Sequence, residues 1–128
     1  MTAPREAGRL RLVASRAGER TVLSDLFYTA PLHPGPAHRD GGAAHVIVQE
    51  VGPGLLPGDR LEIDICVDNE ASLLVSAQGA TRLYPSRGGE AAAEIALRVA
   101  SGGTLWWLPG ELIPFRDAAY QARSVASL

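Results

Sequence analysis

From Arg60 to Asp68 apolar and polar residues alternate without a break. Leu61, Ile63, Ile65 and Val67 fall on one side, and Glu62, Asp64, Cys66 and Asp68 on the other. A period of two is the mark of a half-buried β-strand. Shorter segments of the same kind are read at Arg9–Ala14, Thr21–Leu23, Ala44–Gln49, Ala71–Ala77, Thr104–Leu108, Leu112–Phe115 and Ala119–Val125, and Gln78–Tyr84 continues extended past Gly79. Between Glu90 and Ala100 the alanines favour helix. There Ala93, Ile95, Leu97 and Val99 nevertheless alternate with Glu94, Ala96 and Arg98, so a strand is predicted. Turns are expected at Ala17–Arg20, Gly52–Asp59 and Asp68–Glu70, and a loop at Pro85–Gly89. From Asp25 to Gly42 Pro31, Pro34, Gly35, Pro36, Gly41 and Gly42 break every period, which predicts a long irregular loop. About ten short strands with turn signals roughly every ten residues define an all-β chain: a sandwich, a barrel or a β-solenoid. Residues 1–8 read as a flexible tail and residues 9–128 as a single β domain.

Both tryptophans and one of the two phenylalanines lie within Leu105–Phe115, on a chain that is only 5% aromatic. Pro109 and Pro114 exclude a helix there, so the segment reads as two short apolar strands joined by a tight Pro-Gly turn. Trp106 and Trp107 are adjacent and must point to opposite faces of a strand. One belongs in the core, and the other is exposed or covered by a partner, where aromatic residues commonly anchor interfaces.

Composition narrows the class. With 128 residues, 46% of them hydrophobic and 20% charged, the chain is long enough for one globular core. A net charge of −2 gives no reason to expect nucleic acid or an anionic membrane as partner. The charge is uneven: residues 1–39 carry six arginines against three carboxylates, whereas residues 50–70 carry six carboxylates against Arg60 alone. Such segments either face a partner or a metal ion or are solvated strand faces. Cys66 is the only cysteine, so no internal disulfide is available, in keeping with a reducing compartment. Met1–Arg20 holds no apolar run of signal-peptide length and no segment approaches a membrane span, so a cytoplasmic protein is expected.

Catalytic signatures are sparse. There is no G-x-S-x-G elbow, no phosphate-binding loop ending in Lys-Ser or Lys-Thr, and no Cys or His pair at zinc spacing. His33, His38 and His45 invite a metal reading, because imidazole suits zinc, nickel and iron. Solvated loop histidines are the plainer account. Neighbours along the Glu62–Asp68 polar face lie about 7 Å apart, too far for one compact metal shell but suited to a polar lane for a passing cation, although a solvated strand face is the plainer account. A second class of protein, a small cupin-like jelly-roll metalloenzyme, would use the Leu56-Pro57-Gly58-Asp59 turn with His38, His45 and Glu50 as ligands. The chain lacks the His-x-His pair such a site needs. A third reading is a generic β-rich protein-interaction module.

Three segments resemble the urease accessory proteins of the UreD/UreH type. Gly52-Pro53-Gly54-Leu55-Leu56-Pro57-Gly58-Asp59 is similar to a glycine-rich bend that ends in Gly-Gly-Asp in that family, with Pro57 at the first of those glycines. Gln78-Gly79-Ala80-Thr81-Arg82-Leu83-Tyr84 resembles its Gly-Ala-[Ser/Thr]-[Lys/Arg]-x-Tyr segment. Leu105-Trp106-Trp107-Leu108-Pro109 with Ile113-Pro114-Phe115 resembles Leu-Glu-[Trp/Tyr]-Leu-Pro followed by Ile-x-Phe, with Trp106 where Glu is usual and Gly110 where Gln is common. The likeness runs over nearly the whole chain and about the N-terminal half of the family.

The resemblance implies a β-helix-like stack, truncated relative to the family, and a non-enzymatic role. Such a protein docks on apo-urease and on a UreF-type partner, through which a UreG-type GTPase is recruited for nickel insertion. It implies no tightly bound cofactor, with nickel in transit through an internal polar channel that Asp59 and Thr81 would line. It also makes Trp107 the structural tryptophan, and leaves Trp106 as the more exposed one and a candidate partner contact.

Overall fold

The computed structural model describes residues 6–86 and 88–128. It contains twelve strands: β1 (Gly8–Ala17), β2 (Arg20–Tyr28), β3 (Leu32–Pro34), β4 (His38–Asp40), β5 (Ala43–Glu50), β6 (Arg60–Val67), β7 (Ser72–Ala77), β8 (Thr81–Leu83), β9 (Ala91–Val99), β10 (Thr104–Leu108), β11 (Leu112–Pro114) and β12 (Tyr120–Ser127). Among the described residues there is no helix, and so none long and apolar enough to cross a membrane.

The pairing is that of a β-helix-like stack. β5, β7 and β10 form one parallel ladder, β6, β9 and β12 a second, and β8 and β11 a third. Leu55 extends the third ladder by a parallel bridge to Leu83. The chain therefore winds through three coils: β5–Leu55–β6, then β7–β8–β9, then β10–β11–β12. β1 adds in parallel to β6, and β2 folds back on β1 as an antiparallel hairpin. β3 and β4 lie antiparallel to β5. The first coil is thus covered, while β10, β11 and β12 are each the last strand of their sheet.

Period-two patterning decides what enters the stack. Stacked rows of like residues, Leu10–Ile63–Ile95 and Leu12–Ile65–Leu97, point inward in register across the sheet. From the facing sheet Val46, Leu73 and Val75 meet them, all at most 1% exposed. Leu55, 2% exposed, fills the third side, although its bend has no strand period. Gly54 makes that approach possible. Its φ is +136°, and a Cβ there would sit 2.5 Å from the Arg82 carbonyl oxygen, a contact no side chain tolerates.

The basic and acidic segments meet each other. Arg9, Glu62, Glu94 and Arg123 form one cross-strand row on the outer face, and Arg11 lies beside Asp64 in the next. Arg9 reaches Glu62 at 3.2 Å and Arg98 reaches Asp64 at 3.0 Å, all four well exposed. Exposed pairs of this kind contribute about 0–1 kcal/mol each, so they fix register more than stability.

Two expectations change. The Asp25–Gly42 loop is largely structured: β2 runs on to Tyr28, and β3 and β4 take up the edge of β5. These three-residue strands carry too few residues to show a period and exist because β5 offers a free edge. The Glu62–Asp64–Cys66–Asp68 face, for which a polar lane was the alternative to a solvated face, is the outer surface of its sheet, because its apolar partners Leu61, Ile65 and Val67 occupy the interior. Residues 1–5 of the expected tail lie outside the described residues, and its last residue, Gly8, is buried in β1 opposite Leu61.

Candidate functional site

Between the two larger sheets a cavity of about 260 Å³ runs along the stack. Its wall is mainly apolar, with Val48, Ile63, Val75, Ile95 and Trp107 contributing. Its polar lining residues include Glu50 at the end of β5, Thr81 at the start of β8 and Tyr120 at the start of β12, one from each coil, besides Ser76, Gln78 and Ser124. Glu50 points inward because it continues the period of Ala44, Val46 and Val48. The Thr81 hydroxyl donates to its Oε1 at 2.9 Å.

The electrostatics follow from this setting. Burial pushes the Glu50 carboxyl above its usual range, against the Thr81 hydrogen bond, which pulls it down. Tyr120 is raised first by its own burial and then by the Glu50 charge, so phenol and carboxylate share one electrostatic environment. Both shifts disfavour the charged forms. A cation entering the cavity would supply the charge these groups lack. A carboxylate and two hydroxyl oxygens form a hard-donor set suited to a divalent cation.

Of the residues singled out in the sequence, Thr81 lines this cavity and Asp59 does not. Asp59 is half-buried in the bend before β6, where its Oδ2 accepts the Leu56 amide at 2.9 Å and its backbone carbonyl accepts the Ala92 amide. The histidines do not converge. His38 and His45 are register partners, His45 Nε2 lies 2.8 Å from Ser76 Oγ, and His33 packs edge-on against Tyr28 at 5.2 Å. His45 and Glu50 are on opposite faces of β5, so the cupin-like set is not assembled. Among the described residues no group of three or more His, Cys, Asp or Glu side chains is placed to hold a metal ion. Glu50 and Tyr120 were missed as partners of Thr81. Parity along β5 marks Glu50, whereas nothing in the sequence around Tyr120 separates it from an ordinary strand aromatic.

The outer faces offer two further features. A shallow groove of about 680 Å³ crosses the Arg9–Glu62–Glu94–Arg123 row, where acidic and basic side chains lie beside one another. On the other side Trp106 stands in register with Leu74 and His45 and is 49% exposed. Trp107, one residue on, turns inward and packs partly buried against the core. Pro109 and Gly110 turn a corner rather than reverse the chain, since β10 and β11 belong to different sheets.

The fold is a β-helix-like stack around a mainly apolar lumen that Glu50, Thr81 and Tyr120 line. Comparison with known proteins makes the assignment specific. The family model for the UreD urease accessory protein matches residues 6–128. Urease accessory protein UreD of Cupriavidus necator is 38% identical over 117 residues, covering 91% of this chain and 40% of that protein. Its counterpart from Cupriavidus metallidurans is 41% identical over 111 residues (86% and 37%), and that of Opitutus terrae 35% over 125 residues (95% and 46%). The chain belongs to the UreD family of urease accessory proteins, and it spans less than half the length of these curated relatives.

Proposed function

We propose that this chain is a non-enzymatic assembly component that assists nickel insertion into apo-urease in the cytoplasm. It would dock on apo-urease and on UreF-type and UreG-type accessory proteins, and carry nickel as cargo through its lumen. The observation that carries this reading is the set Glu50, Thr81 and Tyr120, oxygen-bearing side chains from all three coils in a mainly apolar cavity. A passage for a divalent cation needs donors strong enough to replace some of its water and too few to trap it. One carboxylate with two hydroxyls meets both demands.

Thr81 would serve as a lining residue. Asp59, by family resemblance, would be an oxygen ligand met near the bend, in addition to its turn-forming bond. Trp106, exposed beside Leu108 on an outer face, is the proposed anchor for a protein partner. The test is to express the chain, with urease subunits and UreF-type and UreG-type proteins, in a strain lacking its UreD-type component. Restored urease activity and co-purification are expected. The absence of both activity and association would overturn the proposal.

A further inference from the structure

We infer that His38 and His45 form a two-imidazole site for one borderline divalent transition-metal ion on the outer face of the stack. The site is separate from the lumen and does not rest on the passage reading. His38 and His45 are direct register partners across β4 and β5. Side chains directly opposite each other in an antiparallel pair leave the sheet on the same face, with Cβ atoms about 5 Å apart. Two imidazoles at that spacing can close on one ion about 2 Å from each nitrogen. Their face is the outward one, since Ala44 and Val46 on either side of His45 are buried.

The surroundings suit such an ion. His45 Nε2 lies 2.8 Å from Ser76 Oγ on β7. With Ser76 accepting the Nε2 proton, the lone pair is left on Nδ1 for a metal, and a hydrogen bond at the second ring nitrogen is how ligand imidazoles are usually held. His38 is exposed, and among the described residues its side chain has no hydrogen-bond or ion-pair partner, so it can turn to the ion without breaking a contact. Arg39, the cation beside it in sequence, lies across from buried Ala44 on the opposite face, and its Nε turns to the Gly41 carbonyl at 3.5 Å. Asp40, across from Ala43, shares the histidine face and adds a negative charge near the ion. Imidazole selects copper, nickel and zinc over the hard cations magnesium and calcium. Two neutral ligands leave the ion exchangeable, its other positions held by water. β4 has only three residues, all exposed, and the ion would tie it to β5 through side chains as well as backbone.

Cu²⁺ is the probe, because its paramagnetic resonance spectrum reports nitrogen ligands. Cys66→Ser is the test background, so that the one thiol cannot reduce the metal. One equivalent of Cu²⁺ is expected to bind with the splitting of two imidazole nitrogens. In His38→Ala and in His45→Ala that pattern should be lost, and the affinity read by calorimetry should fall about tenfold or more. His33→Ala should match the parent, because His33 packs on Tyr28 and pairs with Gln49 near the other end of β5. Zn²⁺ should displace Cu²⁺ only in excess. Circular dichroism checks that each variant keeps the parent β spectrum. No Cu²⁺ binding by the parent, an unchanged two-nitrogen spectrum in folded His38→Ala, or its loss in folded His33→Ala would overturn the inference.

Discussion

The Thr81 hydroxyl donates to the Glu50 carboxylate at 2.9 Å, linking the end of β5 in the first coil to β8 in the second inside the stack. This bond joins a residue that family resemblance singles out to one that it does not. It also places a titratable group where the surrounding fold would be more stable without it.

Stability should therefore depend on pH through Glu50. Its folded value is raised from the ordinary 4.5, so the native state holds the proton more tightly than the unfolded chain. The associated stability is full below the unfolded value and is lost as pH rises through the folded one. In metal-free buffer Glu50→Gln should melt a few degrees higher than the parent at pH 7–8, with the difference vanishing near pH 4. Equal melting temperatures of the two proteins at pH 8 would contradict this.

The two tryptophans should separate stability from docking. Trp107→Ala removes a partly buried side chain packed on the core and should cost about 2 kcal/mol in urea unfolding. Trp106→Ala removes a side chain that is 49% exposed and should stay within about 0.5 kcal/mol of the parent while weakening co-purification with partners. The reverse order of stabilities would show that the inward and outward faces of β10 are misassigned.

Asp59 has a structural duty that its substitution must control for. Asp59→Ala loses the acceptor for the Leu56 amide and should cost about 1 kcal/mol. Asp59→Asn keeps an acceptor at the same place and should retain parental stability. If Asp59 also meets nickel, Asp59→Asn will lower urease activation without lowering the melting temperature. Full activation by a stable Asp59→Asn chain would confine the residue to the turn.

Leu55 is the corner of the first coil. It is 2% exposed and closes the third side of the stack through its bridge to Leu83. Leu55→Ala should cost about 3 kcal/mol, as large cavities in cores do. Gly54→Ala should be comparably damaging for a different reason, since its Cβ would strike the Arg82 carbonyl. Chemical denaturation of both variants checks the pair, and a near-parental midpoint for either would count against the corner geometry.

Much of this fold was legible from period alone. The alternation of Leu61–Val67 and of Ala93–Val99 identified two strands and their buried faces, and the adjacent tryptophans had to point apart. What the pattern could not show was partnership. Nothing local says that Arg9 and Glu62 are neighbours, so opposite charges in separate segments looked available to a partner. β3 and β4 lie where the sequence predicts a loop, because three residues between prolines and glycines carry no period. The polar face of β6 drew attention as a lane because it is continuous. The lumen donors come from three different coils, separated by about thirty to forty positions, and only the winding of the stack aligns them. Glu50, at the end of an apolar run, enters the cupin-like reading as a ligand beside His38 and His45, a pairing with His45 that strand parity forbids.

The central claim is that nickel reaches urease through the lumen of this stack. Ala122→Arg tests it most directly, because Ala122 is a solvent-exposed residue on the cavity wall of the last coil, where a long cationic side chain can enter the passage at little cost to the core. The measurement is the nickel content of urease co-purified from cells expressing the parent or the variant with the same partners. Urease loaded by the parent and left nickel-free by a variant that still co-purifies is the predicted result. Equal nickel loading by both chains would contradict it.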